Sequence, residues 1–277
     1  MINKILAIVV VYNKTIIQSD SIMSLNNDLM QLEQKLDVYI YDNSLAPTDL
    51  PELERINFVC YNHDSSNAGV SRAYNEGVKY ASSIGKEWVL LLDQDTKFEK
   101  GAIECYIQSL EAYPEIKLFC PLILLENSII FSPFRRKLKR GVSLRHVNFV
   151  KYDLKKFSPV NSGMLINIGS FIECGGYNDA VKLDFSDLEF IERFSKKNGS
   201  FLLIRTKAIQ DFSNNETNVD SLNRRFLFFC QGARNCEKRT LLDKIEYLIV
   251  VFVRATMLTI RTKKIVFYRT FLNEYLK

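Results

Sequence analysis

The feature that most narrows the fold is the run Trp88-Val89-Leu90-Leu91-Leu92, apolar on both faces and cut off by Asp93-Gln94-Asp95-Thr96. A strand with apolar residues in every position must be covered on both sides, as a central strand of a parallel sheet flanked by helices is. Ile5-Leu6-Ala7-Ile8-Val9-Val10-Val11 is a second such run, and Val38-Tyr39-Ile40-Tyr41 and Ile56-Asn57-Phe58-Val59-Cys60 are further strand candidates. Mostly polar, helix-capable stretches separate them, and strands alternating with helices imply an α/β architecture with a mostly parallel sheet. After Asn67-Ala68-Gly69, the residues Val70, Ala73, Gly77, Ala81 and Ile84 recur at helical spacing, with Gly85 as the stop. Ligands of such sheets bind beyond the carboxyl ends of the strands, where Asp93 and Asp95 stand.

From Pro114 to about Phe157 the pattern is irregular, interrupted by Pro121, Pro133 and a basic run at 135–140, and it reads as loops and short strands. Order returns at Val160-Asn161-Ser162-Gly163-Met164-Leu165-Ile166, followed by a Cys174-Gly175-Gly176-Tyr177 turn. In residues 186–194, Ser186 and Glu189 fit a capping box and Leu188, Ile191 and Phe194 share one face of a helix. From about Ser221 onward few turn signals remain and the chain reads as helices. No internal repeat or low-complexity segment is present.

A chain of 277 residues with 47% hydrophobic content can build its core without staples. His63 and His146 are in no ligand spacing, which argues against a histidine-rich zinc site. The six cysteines form no CxxC pair and read as reduced, small hydrophobes of a cytosolic protein. Met1-Ile2-Asn3-Lys4 leads into an apolar run that lacks a small-residue cleavage site, so a buried first strand is expected there rather than a signal peptide. The net charge of +5 is modest, but basic residues gather at 135–140 and after Arg254, which suits an anionic surface or a phosphate-bearing substrate. No recognition motif accompanies the charge, so nucleic acid is not an expected partner.

Two carboxylates one residue apart after a buried strand repel each other unless a cation neutralises them. Magnesium and manganese take one or two protein carboxylates and complete their shells with water and substrate phosphates. A nucleoside-diphosphate donor needs that arrangement, although an isolated Asp-x-Asp also fits a solvent-capped turn. Asp42-Asn43-Ser44 ends another strand on the same edge, where Asp42 can meet a base or ribose; alone it is also a common turn. Asn67, Gly69, Arg72, Asn75 and Gly77 open the helix before the acidic strand, where N–H groups and a guanidinium can meet an anionic ligand; an ordinary capped helix with a surface arginine is the alternative.

The order Val11-Tyr12-Asn13, Asp42-Asn43-Ser44, Asn67-Ala68-Gly69-Val70-Ser71-Arg72-Ala73-Tyr74-Asn75-Glu76-Gly77 and Leu91-Leu92-Asp93-Gln94-Asp95-Thr96 resembles the family 2 glycosyltransferases of the GT-A fold. Within them it is most similar to the bacterial rhamnosyltransferase-type enzymes of O-antigen and capsule assembly. The likeness continues through Asn161-Ser162-Gly163, Gly175-Gly176-Tyr177, Asp184-Phe185-Ser186-Asp187-Leu188-Glu189 with Arg193, Arg224-Arg225-Phe226 and Arg234-Asn235. It implies a GT-A domain over 1–215, with a nucleotide-sugar-binding half (1–113) and an acceptor-binding half (114–215), and a C-terminal helical region over 216–277. It implies donor contacts at Tyr12, Asn13, Asp42, Asn67, Arg72, Asn75, Asp93 and Gln94, and a divalent metal (Mn2+ or Mg2+) on Asp95 with Asp93. It places the catalytic base at Asp187, with Glu189, Arg193, Asn161, Ser162 and Gly163 supporting it or contacting the acceptor.

The resemblance further implies inversion at the anomeric carbon, a nucleotide-sugar donor such as dTDP-rhamnose or a UDP-sugar (UDP-galactose, UDP-galactofuranose), and a lipid-linked oligosaccharide acceptor. Acids in the first turn of a helix are also favoured by its dipole alone, by about 0.3 to 1 kcal/mol, so Asp187 and Glu189 have a purely structural alternative. One departure is Ile209-Gln210-Asp211-Phe212-Ser213-Asn214, where many relatives carry a histidine and glycine; Asp211, Asn214 or Asn215 are candidates to assist the diphosphate or metal instead.

The apolar stretch 245–253 is broken by Arg254 before a membrane span is complete. With Arg261, Lys263, Lys264 and Arg269 it suits peripheral binding to the inner face of a bacterial plasma membrane, or a helix packed on the catalytic domain or in a homodimer. A nucleotidyltransferase or a dinucleotide-binding oxidoreductase would show a glycine-rich loop after the first strand, and Val11-Tyr12-Asn13-Lys14 is none. A non-enzymatic membrane-associated scaffold with structural acids is the remaining rival.

Overall fold

The computed structural model describes residues 1–210 and 217–277, so the candidates Asp211, Asn214 and Asn215 lie outside the described residues. The first half contains β1 (Ile5–Val11), α1 (Asp20–Leu29), β2 (Leu36–Asp42), β3 (Ile56–His63), α2 (Val70–Ser83) and β4 (Trp88–Asp93). The strands pair in the order β4-β1-β2-β3, all parallel. Every residue of β1 is buried, and its side chains alternate between two cores. Ile5, Ala7, Val9 and Val11 join Ile22, Leu25 and Leu29 of α1, whereas Leu6, Ile8 and Val10 join Ala73, Tyr74 and Val78 of α2. Covering both faces is what the unbroken apolar runs demand. Helix α2 lies so close to β1 that a Cβ on Gly77 would sit 2.7 Å from the Ile8 side chain.

The second half adds β5 (Thr96–Phe98), α3 (Ala102–Ala112), β6 (Leu118–Leu125), β7 (Ile130–Ser132), β8 (Phe134–Lys137), β9 (Arg140–Ser143), β10 (Lys151–Asp153), β11 (Phe157–Ser158), β12 (Met164–Asn167), α4 (Ile168–Glu173), α5 (Ser186–Phe194) and β13 (Ser200–Gln210). Strand β12 pairs antiparallel with β4 and extends the sheet through β6, β13 and β10, so the main order is β10-β13-β6-β12-β4-β1-β2-β3, with β5 paired to β13 and β7 to β6. A separate small sheet has the order β11-β8-β9.

The irregular region expected between Pro114 and Phe157 therefore contains a long interior strand, β6, from Leu118 to Leu125. Pro121 disguised it, since a proline removes a ladder hydrogen bond. The structure accommodates Pro121 where the register with β13 shifts, between Leu203 opposite Cys120 and Lys207 opposite Leu122. On its other side β12 starts only after Gly163, whose φ of +79° brings the backbone so near that a Cβ would lie 2.6 Å from the Pro121 ring.

The capping box expected at Ser186 and Glu189 is not formed. Ser186 is already helical, the cap is Phe185 with a left-handed backbone (φ 73°), and no side chain caps it. Arg193 takes Glu189 instead, through Nε at 2.9 Å and Nη2 at 2.8 Å. A bidentate guanidinium contact outcompetes a single backbone N–H for a buried carboxylate.

The C-terminal residues form α6 (Val219–Asn235), α7 (Leu241–Thr262) and α8 (Val266–Thr270) around a third core. Val181 and Phe185, from the segment leading into α5, belong to that core. Among the described residues no helix is long and apolar enough to cross a membrane, and the six cysteines form no disulfide.

Candidate active site

The carboxyl ends of β1, β2, β3 and β4 share one edge and are bound together there. The Gln94 side chain bridges β4 to β1 like an extra ladder rung: its Oε1 accepts from the Tyr12 N–H at 2.9 Å and its Nε2 donates to the Tyr12 carbonyl at 3.1 Å. The Tyr12 ring is left half-exposed at the edge. Asn13, with φ 51°, donates its N–H to Ser44 Oγ at 2.8 Å, and Asn43 N–H donates to the Val11 carbonyl at 2.9 Å.

Asp42 is fully buried, and its carboxylate organises the loop after β2 by accepting from the N–H groups of Ser44 and Thr48 and from the Tyr61 hydroxyl. Those hydrogen bonds hold its carboxyl below the usual range although burial opposes them. Arg72 is exposed on the first turn of α2, where its charge reaches Asp64 and Tyr41 at the mouth of the edge. Asn67 is exposed, with φ 50°, in the loop before it.

One donor candidate, Asn75, serves as a strut. The Asn75 side chain clamps the turn before α5, accepting from the Tyr177 N–H at 2.8 Å and donating to the Tyr177 carbonyl at 2.9 Å and to Asp179 Oδ1 at 2.6 Å. The N-terminus of α2 docks on the same segment, with Val70 N–H donating to the Lys182 carbonyl at 2.9 Å. That N–H group is thereby spent on the protein rather than offered to an anion.

Asp93 and Asp95 sit where β4 meets this edge. Tyr74, buried in α2, donates to Asp93 Oδ1 at 2.8 Å. Asp93 N–H donates to Ser162 Oγ at 3.1 Å, and Ser162 donates on to Thr96 Oγ1 at 2.8 Å. Gly163 is fixed between the Leu91 carbonyl, which takes its N–H at 2.7 Å, and the Tyr106 hydroxyl, which donates to its carbonyl at 2.6 Å. Ser162 and Gly163 thus brace the acidic turn. Gln210, the last residue of β13, donates from Nε2 to Asp95 Oδ1 at 3.3 Å.

Asp187 faces this turn from the first turn of α5. Its charge acts on Asp93, whose carboxyl is pushed up to about 7 by burial first, then by the Asp95 charge, and to a lesser degree by Asp187. The Asp187 carboxyl is itself raised to about 6 by burial and by Asp184, against a hydrogen bond at 2.7 Å from the Leu188 N–H. A polar relay stands behind both acids: the Tyr177 hydroxyl donates to Asn161 Oδ1 at 2.7 Å, and Asn161 Nδ2 donates to Ser186 Oγ at 3.2 Å. Tyr177 also stacks on Phe190 of α5 at 4.2 Å and packs against Tyr74 at 5.4 Å. Glu189 and Arg193 point away into their own ion pair, and Arg193 Nη1 donates to the Cys174 carbonyl at 2.9 Å, so they anchor α5.

Among the described residues no three His, Cys, Asp or Glu side chains converge on one metal position. What is present fits magnesium or manganese only together with ligand phosphates: two crowded carboxylates, Asp93 and Asp95, with the charge repulsion that raises Asp93. Two buried acceptors, Asn43 Oδ1 at the β2 end and Gln210 Oε1 beside Asp95, have no hydrogen-bond partner among the described residues. Orphaned buried acceptors cost free energy and mark places for a ligand donor or cation.

Tyr74, Tyr177 and Gln210 are the site residues that motif reading left without a role. Tyr74 was signalled by position, being a phenol on the sheet-facing side of α2 one strand from Asp93; a buried hydroxyl needs a partner.

The fold is that of the GT-A glycosyltransferases. Among solved structures, S. aureus TarS 1–349 in complex with UDP-GlcNAc superposes with a TM-score of 0.52 at 12% identity, covering 98% of this chain and 89% of that one. The dTDP-rhamnosyl transferase RfbF of Shigella flexneri is 24% identical over 201 residues. That match spans 70% of this chain and 64% of the length of RfbF. No protein-family model matches. The motif likeness to family 2 glycosyltransferases is thus joined by a likeness of fold and of sequence.

Proposed function

We propose that the chain is an inverting glycosyltransferase that transfers a sugar from a nucleotide-sugar donor to a glycan acceptor. The observation that carries this reading is that Asp93 and Asp95, after β4, and Asp187, at the start of α5, are brought together by contacts that run from Asp93 through Tyr74, Tyr177 and Asn161 to Ser186. Asp187 removes the proton of an acceptor hydroxyl as that oxygen attacks the anomeric carbon, while the bond from that carbon to the diphosphate breaks on the opposite face. A carboxyl raised to about 6 is ionised at neutral pH yet basic enough to take the proton. Tyr12, Asn13, Asn67 and Arg72 line the nucleotide's path along the strand ends, and Asp42, buried beneath it, holds the loop after β2 in place. Asp95, with Asp93, would hold Mn2+ or Mg2+, and the bound cation would neutralise charge on the departing diphosphate.

The sequence likeness to RfbF favours dTDP-rhamnose as donor; the UDP-GlcNAc bound to TarS favours a UDP-sugar as the second reading. The acceptor in this proposal is a lipid-linked glycan of surface polysaccharide assembly, reached from the inner face of the plasma membrane. Helix α7 supports that location. One side of it is buried through Tyr247, Val250, Val251, Ala255 and Leu258, while Leu241, Ile245, Leu248, Phe252 and Ile260 on the other side are exposed. An apolar stripe followed by Arg261, Lys263, Lys264 and Arg269 suits an anionic bilayer.

The test is a calorimetric donor screen of dTDP-rhamnose, UDP-galactose and UDP-GlcNAc with manganese or with EDTA, repeated on Asp95→Ala. Metal-dependent binding of one donor, lost in the variant, is expected. If no nucleotide sugar binds under any condition, the reading fails.

A further inference from the structure

Basic side chains crowd α5 on the side of Leu188 and Glu192. The β8–β9 hairpin turns through Leu138 and Lys139, both at positive φ (47° and 51°), which residues with a side chain adopt only when held. Lys139 Nζ does the holding, on Glu192 Oε2 of α5 at 2.8 Å and Asp243 Oδ1 of α7 at 2.7 Å. The clamped hairpin leaves a cavity of about 170 Å³ whose wall includes Arg136, Lys137, Arg140, Lys155, Glu192 and Leu188, the residue after Asp187. Arg136 pairs with Glu192. Lys137, Arg140 and Lys155 have no ion-pair partner among the described residues.

A second recess is lined by Asp184, Arg225 and Arg254 above Leu222, Phe226 and Phe229. Arg140 lines the first cavity, and its charge acts on Asp184 and Arg254 of the second. Neither Arg225 nor Arg254 has an ion-pair partner among the described residues, and Asp184 Oδ2 is buried without a hydrogen bond. The guanidinium of Arg254 is destabilised by burial and by Arg140 beside it. Asp184 offsets one of the three guanidinium charges of Arg140, Arg225 and Arg254, and the excess is positive, which favours an anion there.

We infer that this basic groove, the cavity of Lys137, Arg140 and Lys155 with the charges of Arg254 and Arg225 beside it, seats the phosphate or diphosphate of the acceptor. The inference rests on the glycosyltransferase reading and adds the acceptor's chemical class. Guanidinium groups suit phosphate because their planar fork matches two of its oxygens. Leu188 and Asp184 lie within three residues of Asp187 in the chain, which sets the groove beside the proposed base. The groove takes no residue from the ends of β1, β2, β3 or β4, which separates it from the donor's own diphosphate.

The test is calorimetry with inorganic pyrophosphate in EDTA on the intact chain, comparing wild type, Asp95→Ala and the pair Arg140→Gln with Arg254→Gln; Lys155→Gln is a second variant on the exposed rim. Binding that survives Asp95→Ala and weakens at least about tenfold in the arginine pair is expected, as loss of charge-assisted contacts predicts. Pyrophosphate binding that is absent, or that follows Asp95 and ignores both the arginine pair and Lys155, overturns the inference. Flotation on phosphatidylglycerol vesicles separates the sources of phosphate. Unchanged flotation of the arginine pair is expected, and a loss equal to that for pyrophosphate would assign the groove to lipid headgroups instead. Nucleotide-sugar binding, measured in parallel with manganese, tells the failure of this groove from failure of the enzyme reading.

Discussion

The two sides of the proposed site, a donor wall at the ends of β1, β2 and β4 and a base wall at Asp187, are built by different means. The donor wall is a by-product of the sheet: β1, β2 and β4 end together, and hydrogen bonds between neighbouring ends, such as the Gln94 bridge to Tyr12, fix its side chains. The base wall has no such template. Asp187 is placed by Phe185, whose left-handed backbone starts α5 and whose ring packs at 4.6 Å from Phe229 of α6 and 5.6 Å from Tyr247 of α7. The C-terminal helices therefore hold the start of α5 and with it Asp187, the proposed base, and the two walls should fail separately.

The largest separation is expected from Asp187→Asn. Transfer should fall by about 10² to 10⁴, the usual worth of a general base, while donor affinity measured by calorimetry stays unchanged. In the wild type, kcat/KM should fall with decreasing pH below about 6, because the carboxyl then holds the proton it must accept. Turnover that survives the substitution, or a profile flat through pH 6, removes Asp187 from the chemistry.

Asp95→Ala is the counterpart on the donor wall. Donor affinity in manganese should drop by roughly tenfold to a hundredfold, with no change in affinity when both proteins are compared in EDTA. An equal loss with and without metal would mean that Asp95 touches the nucleotide rather than a cation.

Phe185→Leu tests whether the C-terminal core reaches the base. It keeps an apolar side chain but loses the ring contacts, so a stability loss on the order of 1 to 3 kcal/mol is expected by thermal unfolding. Below the melting range kcat should fall severalfold with donor affinity intact. A protein that loses donor affinity in the same proportion would show that the walls are coupled.

The same contrast explains what was legible in the sequence. Residues 5–11 and 88–92 are buried on both faces, so their apolar runs are unbroken and the acids that end them stand out. β6 escaped because Pro121 interrupts it, and the bulge opposite that makes the proline tolerable is a property of β13, some eighty residues on. Ser186 and Glu189 spelled a capping box that local rules favour, but Glu189 is buried, and a buried carboxylate takes the stronger partner, Arg193 one turn away. The role of Gln210 depends on the antiparallel pairing of Gln210 with Thr96, next to Asp95, which nothing local announces. Nor does anything near Asp187 in sequence announce the helices that hold Phe185.

The smallest effect concerns stability, and it returns to the donor wall. Asp93 ionises at about 7 in the folded protein because burial and Asp95 oppose its charge, whereas an unfolded chain releases that proton near pH 4. Between those values the unfolded state binds fewer protons than the folded one, so stability falls as pH rises from about 4 to about 7 and levels off above. Asp93→Asn keeps an acceptor for Tyr74 and removes the charge. In EDTA at pH 8 it should be more stable than wild type by on the order of 1 to 3 kcal/mol, a rise of several degrees in Tm for a chain of this length. At pH 4.5 the difference should nearly vanish, since wild-type Asp93 is then protonated. With manganese and donor the wild type should overtake the variant, because a cation that relieves the repulsion stabilises only the charged site. If Asp93→Asn melts lower than wild type at pH 8 in EDTA, the carboxylates are not in conflict, and the donor wall is held by its own acids as firmly as the base wall is held by Phe185.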